Sequence, residues 1–140
     1  MSYLINLMKG VGSISFGMTP SHVRNILGDN YVSFKRTPAS SYPCDHFESL
    51  GVFVYYTELG VVEAIELSKP AQAILDDEDL LHIPFSKLKN ILESKDSQLE
   101  IEPDSLTSYT QGIGAYAPDS DEFPERPVES IIIFEENYYS

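Results

Sequence analysis

The chain has 140 residues and carries 22 Asp and Glu against nine Lys and Arg, a formal net charge of −13. That excess excludes nucleic acid and anionic membranes as natural partners. A hydrophobic fraction of 42%, with seven Phe and nine Tyr, excludes whole-chain disorder and suffices for one domain with a real core. A lone cysteine, Cys44, excludes an intrachain disulfide and agrees with a reducing compartment.

The segment 1–9 has no basic start, is interrupted at Asn6 and is halted at Lys9, so it reads as a poor signal peptide. No other stretch approaches the length of a membrane span, and the expected location is the cytoplasm. Residues 10–16 form a short extended lead into the first helix. There Thr19 is an N-cap, Pro20 suits the first helical position, and Val23, Ile26 and Leu27 make an apolar stripe that Gly28 closes in a left-handed conformation.

Tyr31 to Lys35 alternates as a strand, and a Pro- and Ser-rich loop runs from Thr37 to Pro43. The strongest hairpin joins residues 51–57 to residues 61–67 through Glu58-Leu59-Gly60. Ala71 to Leu75 offers another strand before the acidic turn Asp76-Asp77-Glu78-Asp79. A second helix is predicted over 85–94, with Leu88, Ile91 and Leu92 as its stripe. Strands follow at 99–101, 105–110, 112–117 and 128–134. The turn from Pro118 to Pro127, which holds Asp119, Asp121, Glu122 and Glu125, is expected to be exposed and mobile.

The two helices echo each other. Ser21 to Leu27 matches Ser86 to Leu92, with four of seven residues identical at an offset of 65. Val62-Glu63-Ala64-Ile65 matches Val128-Glu129-Ser130-Ile131 at an offset of 66, and Gly51 to Tyr55 lies over Gly112 to Tyr116 at 61. The expected architecture is α+β: two pseudo-symmetric repeats, 10–68 and 71–136, each a helix packed on an antiparallel meander. The sheets join or pack within a single domain, 1–140. Period two puts Ile65, Leu67, Ile131 and Ile133 on the helix side. Val62, Ala64, Glu66, Val128, Ser130 and Ile132 then fall on a second face, an open platform for a protein partner.

Phe16-Gly17-Met18-Thr19, with Val23 and Leu27-Gly28 at the following spacings, resembles the signature of the β-lactamase inhibitory protein and the BamE-like small envelope proteins. Duplication of a helix-plus-sheet unit is also similar to the inhibitory protein. The resemblance implies an architecture that grips a protein with a joined sheet. This chain lacks an export signal and the cysteine pairs of the secreted inhibitor, and Ile83-Pro84-Phe85 replaces the signature before the second helix. In those respects it resembles a cytoplasmic bacterial immunity protein of a toxin–immunity pair.

Chemistry offers little competition. Cys44-Asp45-His46 joins a thiol, a carboxylate and an imidazole, but sequence neighbours rarely reach one another in a catalytic geometry, and the segment reads as a strand edge. His22, His46 and His82 lack metal-ligand spacing, and 76–79 lacks the alternation and glycine of a calcium loop. No enzyme, metal or cofactor is therefore expected.

Charge is lopsided. Residues 1–70 hold five Lys/Arg and six Asp/Glu, whereas residues 71–140 hold four and sixteen. The expected partner is a cognate protein toxin with a basic surface, such as a nuclease groove. It would be met by Asp76, Asp77, Glu78, Asp79, Asp119, Asp121, Glu122 and Glu125, with Tyr116 as an anchor. The alternative function is a non-catalytic assembly module that self-associates, as a homodimer for instance, or scaffolds a complex through the open sheet face.

Overall fold

The computed structural model describes residues 2–35, 37–39, 42–136 and 138–139, so the predicted 37–43 loop lies partly outside the described residues. Helix α1 spans Pro20–Leu27 with Pro20 in its first turn, and the Thr19 hydroxyl accepts the His22 N–H at 3.2 Å. At the other end the Gly28 N–H reaches the Arg24 carbonyl, with φ at +102° but ψ at −174°, so the closing glycine is not in the left-handed helical region.

The predicted stripe of α1 needs correcting. Pro20 and Val23 are buried and Leu27 is partly buried, but Ile26 is 40% exposed. The inward face is rotated because Arg24, one residue after Val23, turns toward a buried carboxylate. Helix α2, Phe85–Glu93, buries Phe85, Leu88 and Leu92 and leaves Ile91 at the margin. It has no side-chain N-cap; the Phe85 and Ser86 N–H groups instead donate to the Arg126 and Pro124 carbonyls. The loop 118–127 thus does for α2 what Thr19 does for α1, answering backbone donors that a helix start leaves unpaired.

The fold is α+β with two sheets. The larger runs β10(Glu100–Glu102), β11(Ser105–Ser108), β12(Ile113–Tyr116), β13(Ser130–Phe134), β7(Val62–Ser68), β6(Val52–Tyr56), β5(Cys44–Phe47), β4(Val32–Phe34), antiparallel throughout. β7 and β13 meet at its centre, pairing Ile65 with Ile133 and Leu67 with Ile131. All four side chains are buried, in one cluster with Val23, Leu88 and Leu92 of the helices and Tyr3, Ile5 and Val11 of the amino-terminal strands.

The amino-terminal segment, read as a poor signal peptide, and the extended lead after it supply three strands of the smaller sheet, β3(Ile14–Ser15), β2(Gly10–Val11), β1(Ser2–Asn6), β8(Gln72–Leu75), β9(Glu78–Asp79). The strand predicted at 71–75 belongs here, parallel to β1, and not to the meander that follows. Tyr3 and Ile5 alternate inward from β1 and join the same core cluster.

Two further positions depart from simple alternation. The β6–β7 register shifts at Tyr55/Tyr56, so Tyr55 lies opposite Ala64 but Tyr56 lies opposite Val62. The extra residue, Glu63, turns Val62 into the main core, off the second face. Val128, before β13 begins, is buried in that core too. Cys44 and His46 are not on an edge, because β4 covers β5.

Candidate partner-binding surface

The face of the large sheet away from the helices is built by registers alone. Val32, His46, Phe53, Glu66, Ile132, Gly114, Thr107 and Glu100 stand opposite one another across eight strands. His46 stacks on Phe53 with ring centroids 3.7 Å apart, Phe34 meets Phe53 edge-on, and the Tyr55 hydroxyl donates to Glu66 at 2.6 Å. A small cluster of Cys44, Tyr55, Ala64 and Phe134, with Phe53, Ile132 and Tyr138 against it, sits on this face, and neither helix contributes to it. The second face is thus helix-free and apolar in its middle, with Tyr138 and Tyr139 packed on Phe134.

Tyr116 stands on this face, paired with Ser130 on one side and Ser105 on the other, and is 45% exposed. The next residue of that row is Glu102, and Glu100 lies two residues back on the same strand. The Glu100 carboxylate shares a hydrogen bond with Glu102, and like-charge repulsion from Glu100 and Asp104 adds to it. Together they raise the Glu102 carboxyl above its ordinary range. The Tyr109 hydroxyl is raised as well, chiefly by its hydrogen bond to Glu100. Negative charge is therefore crowded at the β10 end of the face. Sequence reading missed Glu100 and Glu102; their i, i+2 spacing on a strand was the available signal.

The loop after β12 brings Asp119, Asp121, Glu122 and Glu125, all exposed, beside Tyr116 in the chain. Although this loop was expected to be mobile, backbone bonds from Ser120, Phe123 and Arg126 to earlier carbonyls fold it, and it is tied to α2 as described. Arg126 lies over the Phe123 ring at 3.7 Å and pairs with Asp119 at 3.7 Å. Between the loop, Phe85 and Ser68-Lys69 lies a cleft of about 480 Å³, open to solvent, with Asp119 and Glu129 on its wall.

The second predicted acidic group is placed elsewhere. Asp76 and Asp77 form the β8–β9 turn with φ of +52° and +63°, and Glu78 and Asp79 are β9. Three of the four are engaged within the molecule. Asp76 pairs with Lys95 at 2.9 Å and Glu78 with Lys87 at 3.0 Å. Asp79 accepts the Ala73 and Leu81 N–H groups and pairs with His82. They tie the small sheet to both ends of α2, whereas Tyr116, Glu100 and Glu102 belong to the large sheet.

The Cys44-Asp45-His46 triplet is divided by the strand. Cys44 and His46 face the helix-free side, and Asp45 points into the core. Asp45 is fully buried, and its carboxylate takes Arg24 Nε and Nη2 at 3.0 and 2.9 Å, Ser33 Oγ at 2.8 Å and Tyr56 Oη at 2.8 Å. Burial, then the bond to Asp45, pushes the Tyr56 hydroxyl far up. Every acceptor direction of Asp45 is occupied by a structural donor, which leaves it no free lone pair for acid–base work. Among the described residues, no group of three or more His, Cys, Asp or Glu is arranged to hold a metal ion, and no helix is long and apolar enough to cross a membrane. Comparison with family models, curated proteins and solved structures finds no match to this chain.

Proposed function

We propose that this chain is a cytoplasmic immunity protein, a non-catalytic inhibitor that binds a cognate bacterial protein toxin with a basic surface and blocks it. The observation that carries the reading is the acidic end of the helix-free face. There an exposed Tyr116 shares a row with Glu102, one strand beyond Ser105, and Glu100 lies on that same outer strand. The chain after Tyr116 runs on into the exposed carboxylates of 119–125. A tyrosine beside like charges that repel one another suits a basic partner, since binding a cation there relieves repulsion and speeds encounter. The remaining acidic group, 76–79, is mostly neutralised internally and contributes to the long-range field rather than to contact.

In this reading the platform comes from two copies of one unit, each a helix on its own meander. Three observations support the duplication. Each helix is followed by four strands in consecutive antiparallel order, and the last strands meet at the centre. Gly51 and Gly112, aligned by sequence, have φ of +72° and +69° just before β6 and β12. Their carbonyls accept from Ser68 and Phe134, the last residues of β7 and β13, which are 66 residues apart like the other matched strand positions.

The test is co-expression with the product of the adjacent gene in a cell that this product kills. Rescue is expected. Charge reversal at Glu100, Glu102, Asp119 and Asp121 should slow association by roughly tenfold at low salt and flatten its salt dependence. Tyr116→Ala should accelerate dissociation by about tenfold or more. Absence of rescue overturns the function, and unchanged kinetics in both variants overturns this surface.

A further inference from the structure

The two outer strands of the large sheet are finished differently. At β10, Glu100 and Glu102 stand on the strand, with Pro103 and Asp104 following, so a second copy pairing there would bring four glutamates together. Charged residues and proline are the usual guards against edge-to-edge pairing. Within β4 itself there is neither a charged residue nor a proline. All three strand residues are exposed, Val32 at 63% and Phe34 at 40%, and the nearest charges in the chain are Asp29 before it and Lys35 and Arg36 after it.

We propose that β4 pairs with β4 of a second copy of this chain, antiparallel about a two-fold axis at Ser33, to form one continuous sheet. Three features favour a second copy over a basic partner. The half that holds β4 is nearly neutral, with five Lys/Arg against six Asp/Glu, so the strongly acidic halves would lie at the far ends of the joined sheet. In an antiparallel pair centred on Ser33, the two Lys35 residues lie at opposite ends, each facing Tyr31 of the other copy, so they do not oppose each other. A basic strand, by contrast, would meet Lys35 at this edge and find its complement at the opposite one.

Side-chain orientation matches this pairing. Ser33 Oγ is committed to Asp45 on the helix side, so Val32 and Phe34 point to the helix-free face. Around the two-fold axis, Val32 of each copy lies opposite Phe34 of the other. Aromatic and β-branched side chains placed opposite each other are a favourable cross-strand pair. Phe34 already leans on Phe53, which stacks on His46, and the pairing would bring both copies' aromatic clusters together at the seam. This pairing does not depend on the identity of any toxin.

The experiment is sedimentation velocity over a roughly hundredfold concentration range, because a three-strand-residue contact gives a dimer governed by mass action. The wild-type chain should shift from monomer to dimer. Val32→Lys with Phe34→Lys sets Lys against Lys at both cross-strand positions and should abolish the shift. Val32→Lys with Phe34→Glu sets Lys against Glu at both and should restore it, which a merely misfolded edge would not do. As a second measurement on the wild-type chain, hydrogen exchange at the amides of 32–34 should slow as concentration rises. A wild-type chain that stays monomeric, a dimer that survives the Lys/Lys change, a Lys/Glu variant that stays monomeric, or exchange that ignores concentration overturns the proposal.

Discussion

The first half of the chain, through β7, starts its helix with a side-chain cap and pins it to a buried carboxylate, whereas the second half starts its helix with backbone carbonyls of a loop and pins it by surface ion pairs. In the core row that crosses the large sheet through Val54, Ile65, Ile133 and Ile113, both margins are polar: Asp45 on β5, with Ser33 of β4 beyond it, and Ser108 on β11. At the first end the carboxylate belongs to the strand, and its cation, Arg24, belongs to α1. At the other the carboxylate, Asp96, follows α2 and takes Ser108 Oγ at 2.6 Å, Thr110 Oγ1 at 2.9 Å and the Gln98 N–H at 2.8 Å. One sheet margin is thus pinned by an ion pair and the other by neutral donors around a single charge. The difference teaches that similar helices with similar apolar stripes can be seated by unlike polar chemistry, and it makes the two halves separable by mutation.

The largest expected effect is at the ion pair. Asp45→Ala would strand a partly buried guanidinium and the hydroxyls of Tyr56 and Ser33, and chemical denaturation should register a loss of about 3–5 kcal/mol. The corresponding change at the second margin lacks a buried cation to strand, so Asp96→Ala should be clearly milder; an equal loss would break the contrast between the margins.

Next come the paired glycines. A Cβ on Gly51 would lie 2.0 Å from the Ser68 carbonyl oxygen, and one on Gly112 would lie 2.5 Å from that of Phe134. Both positions also have positive φ, so Gly51→Ala and Gly112→Ala should each destabilise by about 1–3 kcal/mol. Similar losses in the two sharpen the view that the halves share one design, and a neutral result at either position counts against it.

The smallest effect is a pH dependence. Hydrogen bonds, that from Ser108 foremost, hold the Asp96 carboxyl below its ordinary value. A carboxyl whose folded pKa is depressed adds stability that is present above its unfolded pKa and disappears as pH falls through the folded one. Stability measured from pH 7 downward should therefore decline less steeply in Asp96→Asn than in the wild-type chain. Parallel slopes would mean that the second margin draws nothing from the charge.

Much of the secondary structure was legible because local chemistry decides it. Thr19-Pro20 starts α1, the turn at 58–60 closes the strongest hairpin, and period two sorts Ile65, Leu67, Ile131 and Ile133 from their neighbours. The misreadings share one cause, which is contact between residues distant in sequence. Ile26 is displaced from the core because Arg24 finds Asp45, 21 residues on. Val62 changes face because of a bulge set by its pairing with β6. The first residues form a strand because β8, about 70 residues later, lies beside them. At the candidate surface, the acidic loop and Tyr116 could be chosen from exposure-prone composition, but Glu100 and Glu102 gain their place only from the order of strands.

The sequence by itself determined the α+β composition, both helices, the central hairpin, the acidity of the second half and the match between its blocks. These depend on propensity, periodicity and charge, all of which act over a few residues or add up without regard to folding. Tertiary structure alone decided which carboxylates are spent on structure and which stay exposed. Asp45, Asp79 and Asp96 are indistinguishable from Asp119 or Asp121 in the chain. Burial separates them: Asp45 and Asp96 are buried and Asp79 partly so, and a carboxylate withdrawn from water must collect donors from wherever the fold brings them, whereas Asp119 and Asp121 stay exposed.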